Sequence, residues 1–345
     1  MSSRYPLFDR RRLRCLPLAE RVHDLDLGCL LPLAPTAVTE PALRDIGARI
    51  LAARDEGAAV VLLMGAHVLR AGVQRYLIDL LEQGLISCIA VNGAVVIHDY
   101  ELALIGATTE SVARYIAEGQ FGLWQETGRL NDIVRHAASR DQGIGEAVGE
   151  WIATGDLPHA DISLLAAAWR CGIPVTVHVG IGYDIVHEHA NCDGAAWGQA
   201  SYTDFLIFTR CLERLAGGVV MGFGSAVMAP EVFLKGLAMA RNVAGQKGRG
   251  IEGFSSLVCD LRELPADYRH EAPRDSPAYY FRPWKTMLVR TVDEGVSHYV
   301  RGHHRETVPA LWTAVSEARG QERPSPPPLS RVRARGEKYT RTVDR

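Results

Sequence analysis

The chain has 345 residues, of which 47% are hydrophobic and 23% are charged, and its formal net charge is −2 at pH 7. This composition is ordinary for a globular protein, and the near-neutral charge gives no electrostatic reason to expect a nucleic-acid or membrane partner. No run of about 18 apolar residues is present, so no transmembrane helix is predicted. The seven cysteines are scattered without a CxxC pair, which favours reduced thiols and a cytoplasmic protein.

Apolar runs and helical patterns alternate along most of the chain. The predicted strands are 58–64, 87–91, 173–179, 218–222, 254–261 and 296–301, and the predicted helices are 41–55, 70–83, 143–154, 159–171, 202–215, 230–242 and 305–318. Continuous apolar runs between helices are typical of parallel strands that are buried on both faces. The sequence therefore predicts an α/β fold with a doubly wound, mostly parallel Rossmann-like sheet over residues 41–319. Residues 1–40 are predicted as an irregular arm, and residues 320–345 as a disordered tail rich in proline and arginine.

The loops that follow the predicted strands are rich in glycine and polar residues. Ligands of an open parallel sheet bind beyond the carboxyl ends of its strands, and small residues there let backbone N–H groups approach a phosphate. No GxGxxG motif follows the first strand, so each glycine alone is also explained by a tight turn. Taken together the loops favour a nucleotide. The predicted cofactor-binding residues are Gly65, Ala66, His67, Asn92, Gly93, Ala94, Gly222, Gly224, Ser225, Gly302 and His303.

Two groups of ionisable residues are candidates for chemistry. His98 and Asp99 form either an acid/base pair or a set of helix-capping groups, and capping is favoured on chemistry alone. Asp184 and His187 follow a predicted core strand that contains His178, which favours a substrate-facing loop. A zinc site that uses His187 and the nearby His189 and Cys192 is a weaker alternative, because no second spaced pair of ligands completes it.

Lysine is rare in this arginine-rich chain, which has 38 basic residues but only four lysines. Guanidinium does not titrate in proteins, so lysine is retained where a neutral amine is needed for chemistry. Lys285 follows Trp284 and lies near Tyr279 and Tyr280, and aromatic neighbours would desolvate its amine and free it for imine formation. A cation–π contact without chemistry is the alternative, and it is favoured on the residues alone.

Over roughly residues 55–318 the chain resembles the deoxyhypusine synthase family. The segment 172–184 is similar to the strand and loop that contribute to the family's active site, and 218–224 is similar to its glycine-rich strand end. Lys285 follows Trp284 where the family has Trp-Gly-Lys, whose lysine forms the imine intermediate. The resemblance implies an NAD-containing homo-oligomer, a tetramer with sites near subunit interfaces. Our hypothesis for the reaction is that Asp184 orients a substrate amine and that His98 or His178 shuttles protons.

A second resemblance covers Met64–Thr109, which is similar to the NAD-binding domain of lysine-oxoglutarate-reductase-like ornithine cyclodeaminases. It is carried by Asn92-Gly93-Ala94, His98-Asp99 and 103–106. The paired glutamates that hold a polyamine in deoxyhypusine synthases are replaced here by Gln74 and Arg75. An arginine there suits an amino-acid carboxylate better than a cationic amine. The predicted substrate-binding residues are Gln74, Arg75, Asp99, Gly182 and His187.

The sequence therefore predicts a deoxyhypusine synthase-like, NAD-dependent enzyme, a transferase or oxidoreductase that acts on an amine or amino acid through an imine. Its predicted catalytic residues are Lys285, Asp184, His98 and His178, and no metal is predicted. The alternatives are an ornithine-cyclodeaminase-like lyase and a catalytically inactive NAD-binding scaffold. The only partners predicted are a small-molecule substrate and further copies of the chain.

Overall fold

The computed structural model describes residues 3–321. Its helices are α1 (Pro41–Asp55), α2 (His67–Arg70), α3 (Gln74–Glu82), α4 (Gly93–Ile105), α5 (Val112–Glu118), α6 (Leu130–Ser139), α7 (Ile144–Thr154), α8 (Leu164–Arg170), α9 (Gly194–Leu212), α10 (Met228–Gly245) and α11 (His304–Gln321). Its strands are β1 (Leu25–Asp26), β2 (Val60–Met64), β3 (Cys88–Val91), β4 (Ala107–Thr108), β5 (Val175–Val177), β6 (Val219–Phe223), β7 (Ser255–Asp260) and β8 (Ser297–Arg301). A π-helix spans Pro283–Arg290.

Six of these strands form one sheet, in the order β5-β3-β2-β6-β7-β8, and every neighbouring pair is parallel. Counted along the chain, the order is 3-2-1-4-5-6, which is the order of dinucleotide-binding Rossmann sheets. The direction in which the strands are added reverses between β2 and β6. The predicted doubly wound, mostly parallel Rossmann-like sheet is confirmed. The remaining strands, β1 and β4, pair antiparallel in a separate ribbon.

The sheet is buried on both faces, which explains its uninterrupted apolar runs. In β2, Val60, Leu62 and Met64 pack into the hydrophobic cluster that includes residues of α1, α3 and α11. The alternate residues Val61 and Leu63 pack into a second cluster with residues of α9, α10 and the π-helix. Because successive strand side chains point to opposite faces, a strand covered on both sides needs apolar residues at every position.

One predicted helix is divided in the structure, because a glycine interrupts its apolar pattern. The helix predicted over 70–83 is two helices, α2 and α3, because Gly72 between them has φ +76°. A Cβ at Gly72 would lie 1.9 Å from the carbonyl oxygen of Cys29, so only glycine fits at this break. The helices α5 and α6, the π-helix and the short strands β1 and β4 were not predicted either.

The N-terminal arm is irregular, as predicted, but it is packed against the domain. Leu18 is buried with Tyr115 and Trp124, and Arg21 pairs with Glu101 of α4. The predicted tail begins inside the last turn of α11, and the rest of it, 322–345, lies outside the described residues. Over the described part of the chain, none of the helices has the length and apolarity needed to cross a membrane.

Candidate functional site

A cleft runs along the carboxyl edge of the sheet and has two lobes. The lobe above β3 and β5, called here the β3–β5 lobe, has a volume of about 650 Å³. The lobe above β7 and β8, called the β7–β8 lobe, has a volume of about 710 Å³. The residues His67, Arg70, Gly224 and Ala226 line both lobes, so the lobes meet above the point where the strand order reverses. Ligands of open α/β sheets bind at this position.

The floor of the cleft is formed by two loops in contact. The N–H of Gly65, after β2, donates to the carbonyl oxygen of Phe223 at 3.0 Å and so extends the ladder of the sheet by one residue. A Cβ at Gly65 would lie 2.2 Å from the carbonyl oxygen of Gly224. Gly224 itself has φ +60°, and a Cβ there would meet His304. Both positions therefore require glycine, and they keep side chains out of the junction between the lobes.

Most of the predicted cofactor-binding residues lie in this cleft. The residues that line it are Gly65, Ala66, His67, Asn92, Ala94, Gly224, Ser225 and His303. Gly93 lies beneath the carboxylate of Asp184, and Gly222 lies inside β6 against Met287. Gly302 is not among the lining residues of either lobe.

The cleft lacks two features of the usual dinucleotide site. The helix after β2 has only four residues, and no glycine-rich fingerprint precedes it. Asn92 stands at the end of β3, where an acidic residue usually contacts the ribose, and its side-chain oxygen accepts from the N–H of Val95. Arg70 lines both lobes at their junction. The sequence analysis missed Arg70 because it placed this residue at the start of one continuous helix.

Asp184 is the acidic side chain of the β3–β5 lobe. It begins a 3-10 turn in which the backbone N–H of His187 donates to the carbonyl oxygen of Asp184 at 2.9 Å, while Nδ1 of the His187 ring accepts from the N–H of Asp184 at 3.2 Å. The N–H of Gly182 also donates to this ring, at 3.2 Å to Nδ1. His187 therefore shapes the loop, while burial raises the pKa of Asp184 to about 6.

His98 and His178 also line the β3–β5 lobe, each held by a threonine. His98 Nδ1 lies 2.8 Å from the hydroxyl of Thr108, and His178 Nε2 lies 3.0 Å from the hydroxyl of Thr176. Burial lowers the pKa of each histidine to about 4, so both rings are neutral at pH 7. The structure thus brings three predicted catalytic residues, Asp184, His98 and His178, into one lobe.

Lys285 is not in this cleft. Its side chain is buried in the π-helix, and its ammonium lies 3.1 Å from the ring centroid of Tyr279. Glu271 and Arg290 form an ion pair nearby. The arrangement is that of the cation–π alternative, which the residues themselves favoured, and the imine-forming role of Lys285 stays a prediction.

None of the five predicted substrate-binding residues is among the lining residues of either lobe. Gly182 and His187 belong to the loop that carries Asp184, and the other three lie elsewhere. Asp99 is buried, and its carboxylate accepts from Ser163 and from two backbone N–H groups at the start of α8, so it caps that helix. Gln74 is fully buried beneath the surface of α3. Arg75 is exposed and reaches only the carbonyl oxygen of Leu31. In each case the side chain faces away from the cleft because of the helix face on which it lies.

The weaker zinc alternative also lacks support. His189 is buried, its Nε2 lies 2.9 Å from the carbonyl oxygen of Gly122, and its Nδ1 lies 3.7 Å from the sulfur of Cys15. Within residues 3–321, no group of three or more histidine, cysteine, aspartate or glutamate side chains is arranged to hold a metal ion. All seven cysteines are free thiols.

Several solved structures are similar to this chain at low sequence identity. They include the ternary complex of AgrE with ornithine and NAD+, at 14% identity and a TM-score of 0.48, covering 84% of this chain and 35% of that chain. They also include a protein from Methanococcus maripaludis S2 described as LOR/SDH, at 14% identity and a TM-score of 0.47, covering 84% of this chain and 74% of that chain. A third is described as a deoxyhypusine synthase from Entamoeba histolytica, at 9% identity and a TM-score of 0.37, covering 82% of this chain and 90% of that chain.

Both families that the sequence resembles are thus among the structures to which the chain is similar, and one of those structures holds NAD+. The chain spans about a third of the length of AgrE. No protein-family model and no curated protein sequence matches the chain.

Proposed function

We propose that the chain is an NAD-dependent enzyme that oxidises the amine-bearing carbon of a small amino acid or amine to an imine. The observation that carries the proposal is the position of Asp184 and His98, in the lobe that adjoins the reversal of strand order. A dinucleotide bound across that reversal extends to both sides of it. Two lobes that meet there match a ligand with two halves joined by a pyrophosphate.

The residues at the junction suit the phosphates of such a ligand. Arg70 and His67 line both lobes and are exposed to solvent, so they are free to contact an anion that lies between the lobes. Arginine is well matched to phosphate oxygens because its planar fork donates two parallel hydrogen bonds. Gly65 and Gly224 have no side chains, so the backbone at the junction between the lobes is accessible to a ligand. A dinucleotide held here would have its nicotinamide half in the β3–β5 lobe, beside Asp184 and His98.

The side chains of the β3–β5 lobe have complementary roles in the proposed reaction. The ionised carboxylate of Asp184 holds the substrate amine, and a neutral histidine accepts a proton from its nitrogen. NAD+, held by Arg70 and His67 at the junction, would supply the acceptor for the hydride of the adjacent carbon, and loss of that hydride would leave a C=N bond in the substrate. Water then hydrolyses the imine, or a second amine of the same substrate attacks it. No lysine of the chain is needed as an imine acceptor, and this favours an amino-acid oxidoreductase or cyclodeaminase-like lyase over a transferase.

The cofactor is tested by releasing and then titrating it. We expect the denatured protein to release NAD or NADH, identified by mass and ultraviolet spectrum, and the emptied protein to bind NAD. Substitution Arg70→Ala should raise the Kd for NAD about ten- to hundredfold, because a charge-assisted hydrogen bond to phosphate contributes about 1.5–3 kcal/mol. Arg75→Ala is the matched control, since Arg75 is an exposed arginine outside the cleft.

Two results would overturn the assignment of NAD to the cleft. One is the absence of any NAD binding at millimolar concentration. The other is an equal loss of NAD affinity in Arg70→Ala and Arg75→Ala. NAD binding without turnover of any amine or amino acid would instead indicate the inactive scaffold.

The pH dependence of the reaction tests the role of Asp184. Burial raises the pKa of this carboxyl group to about 6, so it gains a proton and loses its negative charge as the pH falls through that value. We expect kcat/KM, which reports the free enzyme, to fall as the pH decreases below about 6. In Asp184→Asn the whole profile should be lower and this acidic limb should be absent. An unchanged limb in the asparagine variant would assign it to another group.

A further inference from the structure

A series of buried polar side chains in contact with one another connects the N-terminal arm to the cleft. Arg21 and Glu101 form a two-pronged ion pair, with nitrogen–oxygen distances of 2.9 and 2.7 Å, and both side chains are 1% exposed. Thr108 contacts Glu101 at 2.7 Å, and its hydroxyl oxygen lies 2.8 Å from Nδ1 of His98. His98 in turn lines the β3–β5 lobe.

Glu101 fixes the direction of the hydrogen bonds between these buried side chains. Its carboxylate is paired with Arg21, and it also contacts the hydroxyl of Thr127 at 2.6 Å. An ionised carboxylate has only acceptor oxygens, so each group that contacts it at this distance must donate to it. The hydroxyl hydrogen of Thr108 therefore points to Glu101. A reversed hydroxyl would leave two oxygens at 2.7 Å with no hydrogen between them, although both residues are buried, Thr108 at 0% and Glu101 at 1% exposure.

Since a threonine hydroxyl carries a single hydrogen, Thr108 can only accept from His98. Nδ1 of His98 then carries the ring proton, and Nε2 is unprotonated. No hydrogen-bond partner for Nε2 is present among residues 3–321. The geometry points to Thr108 as a positioning residue, which holds His98 in the Nδ1–H tautomer and leaves Nε2 in the cleft as the proton acceptor. The role of Nε2 as a proton acceptor rests on the proposed function. The tautomer itself follows from the hydrogen bonds alone.

Hydrogen-bond direction does not assign a tautomer to His178. The hydroxyl of Thr176 lies 3.0 Å from Nε2 of His178 and 3.4 Å from the carbonyl oxygen of Ile89, and the longer contact is outside the usual range of an O–H···O hydrogen bond. Thr176 can therefore donate to Nε2 as well as accept from it. The assignment is specific to His98, whose threonine contacts a carboxylate at 2.7 Å.

The ion pair between Arg21 and Glu101 gives the contact of Thr108 with His98 a second effect, besides holding the imidazole ring in one tautomer. When Nε2 takes a proton from the substrate, the ring becomes a cation that donates from Nδ1 to Thr108. Thr108 is polarised by the negative charge of Glu101, which stabilises that cation through the hydroxyl. Arg21 and Thr127 hold the carboxylate in place, so the response requires no movement of the buried groups.

The tautomer is measured by long-range proton–nitrogen NMR on the full chain labelled with 15N-histidine. His98→Gln identifies the His98 signals. We expect a protonated Nδ1 and an unprotonated Nε2 at His98. Thr108→Ser, which keeps the hydroxyl, should retain the His98 pattern. Thr108→Val, which has nearly the same shape without the acceptor, should shift His98 towards the Nε2–H tautomer or a mixture.

The proposal is overturned if wild-type His98 carries its proton on Nε2, or if Thr108→Val leaves the pattern unchanged. Thermal unfolding of both variants establishes that each is folded at the temperature of the NMR experiment. Where turnover is present, Thr108→Val should lower kcat with little change in KM, and Thr108→Ser should restore kcat. The NMR result needs no turnover, so an intact tautomer without amine oxidation would refute the proposed function alone. An altered tautomer with intact NAD binding would refute the role of Thr108 alone.

Discussion

Replacement of His98 by glutamine is expected to lower kcat about a hundred- to ten-thousandfold, the range typical for removal of a general base. Glutamine fills a similar volume and still offers an acceptor oxygen, but it does not take up a proton. The substrate nitrogen then has to lose its proton to water, which the cleft partly excludes. Because the burial of His98 lowers its pKa to about 4, the histidine is unprotonated and ready to act at neutral pH.

The measurement is the rate at which NADH absorbance appears with a substrate found by screening amino acids and amines. NAD affinity, from the titration, should be unchanged in His98→Gln, which separates loss of chemistry from loss of binding. His136→Gln is the control, because His136 lies near the end of α6 and lines neither lobe. A His98→Gln enzyme within about threefold of the wild-type kcat would remove His98 from the mechanism.

The sheet could be predicted from the sequence because its signal is local. Each strand is a short apolar run between helices, and burial on both faces makes the run continuous in 60–64 and 219–223. The order of the strands needs long-range pairing, which no single segment encodes. The break at Gly72 shows the limit of a local pattern, since its cause is the carbonyl of Cys29, over 40 residues earlier.

The sequence placed some of the predicted site residues in the cleft and not others, and the physical reason differs between residues. Loops at strand ends converge in any parallel sheet, so placing Asp184 and His178 near them needed only the strand assignments. His98 and Asp99 are adjacent on α4 and therefore point in different directions, one to the cleft and one to the start of α8. Sequence proximity had paired them, but a helix separates neighbours by about 100°.

Lys285 shows that a correct inference about local environment does not place a residue in the cleft. Its aromatic surroundings do bury it, leaving 7% of the residue exposed. However, the ammonium lies against Tyr279, in the segment between β7 and β8, and Lys285 is not among the lining residues of either lobe. Burial alone therefore did not identify a reactive amine. The arginine that does line the cleft, Arg70, has no distinctive neighbours in sequence.

The buried ion pair between Arg21 and Glu101 constrains the position of the N-terminal arm, although the arm itself is irregular. Arg21 and Glu101 are 80 residues apart, and their contact attaches the arm to α4. Both charges are removed from water, and the guanidinium of Arg21 also contacts His23 and lies over the ring of Trp124. The net contribution of such a pair to stability is small relative to apolar replacements, but the loss of one partner is costly.

Arg21→Ala is therefore expected to lower the free energy of unfolding by about 3–5 kcal/mol, because it leaves the Glu101 carboxylate buried without a counter-ion. Urea denaturation followed by two spectroscopic probes measures the change. The double variant Arg21→Ala/Glu101→Gln should recover most of the loss, since it leaves no unpaired charge. Arg114→Ala is the control: its ion pair with Glu118 is exposed, so its midpoint should stay close to that of the wild type. Equal losses in the single and double variants would show that the cost comes from the missing side-chain volume and not from the buried charge.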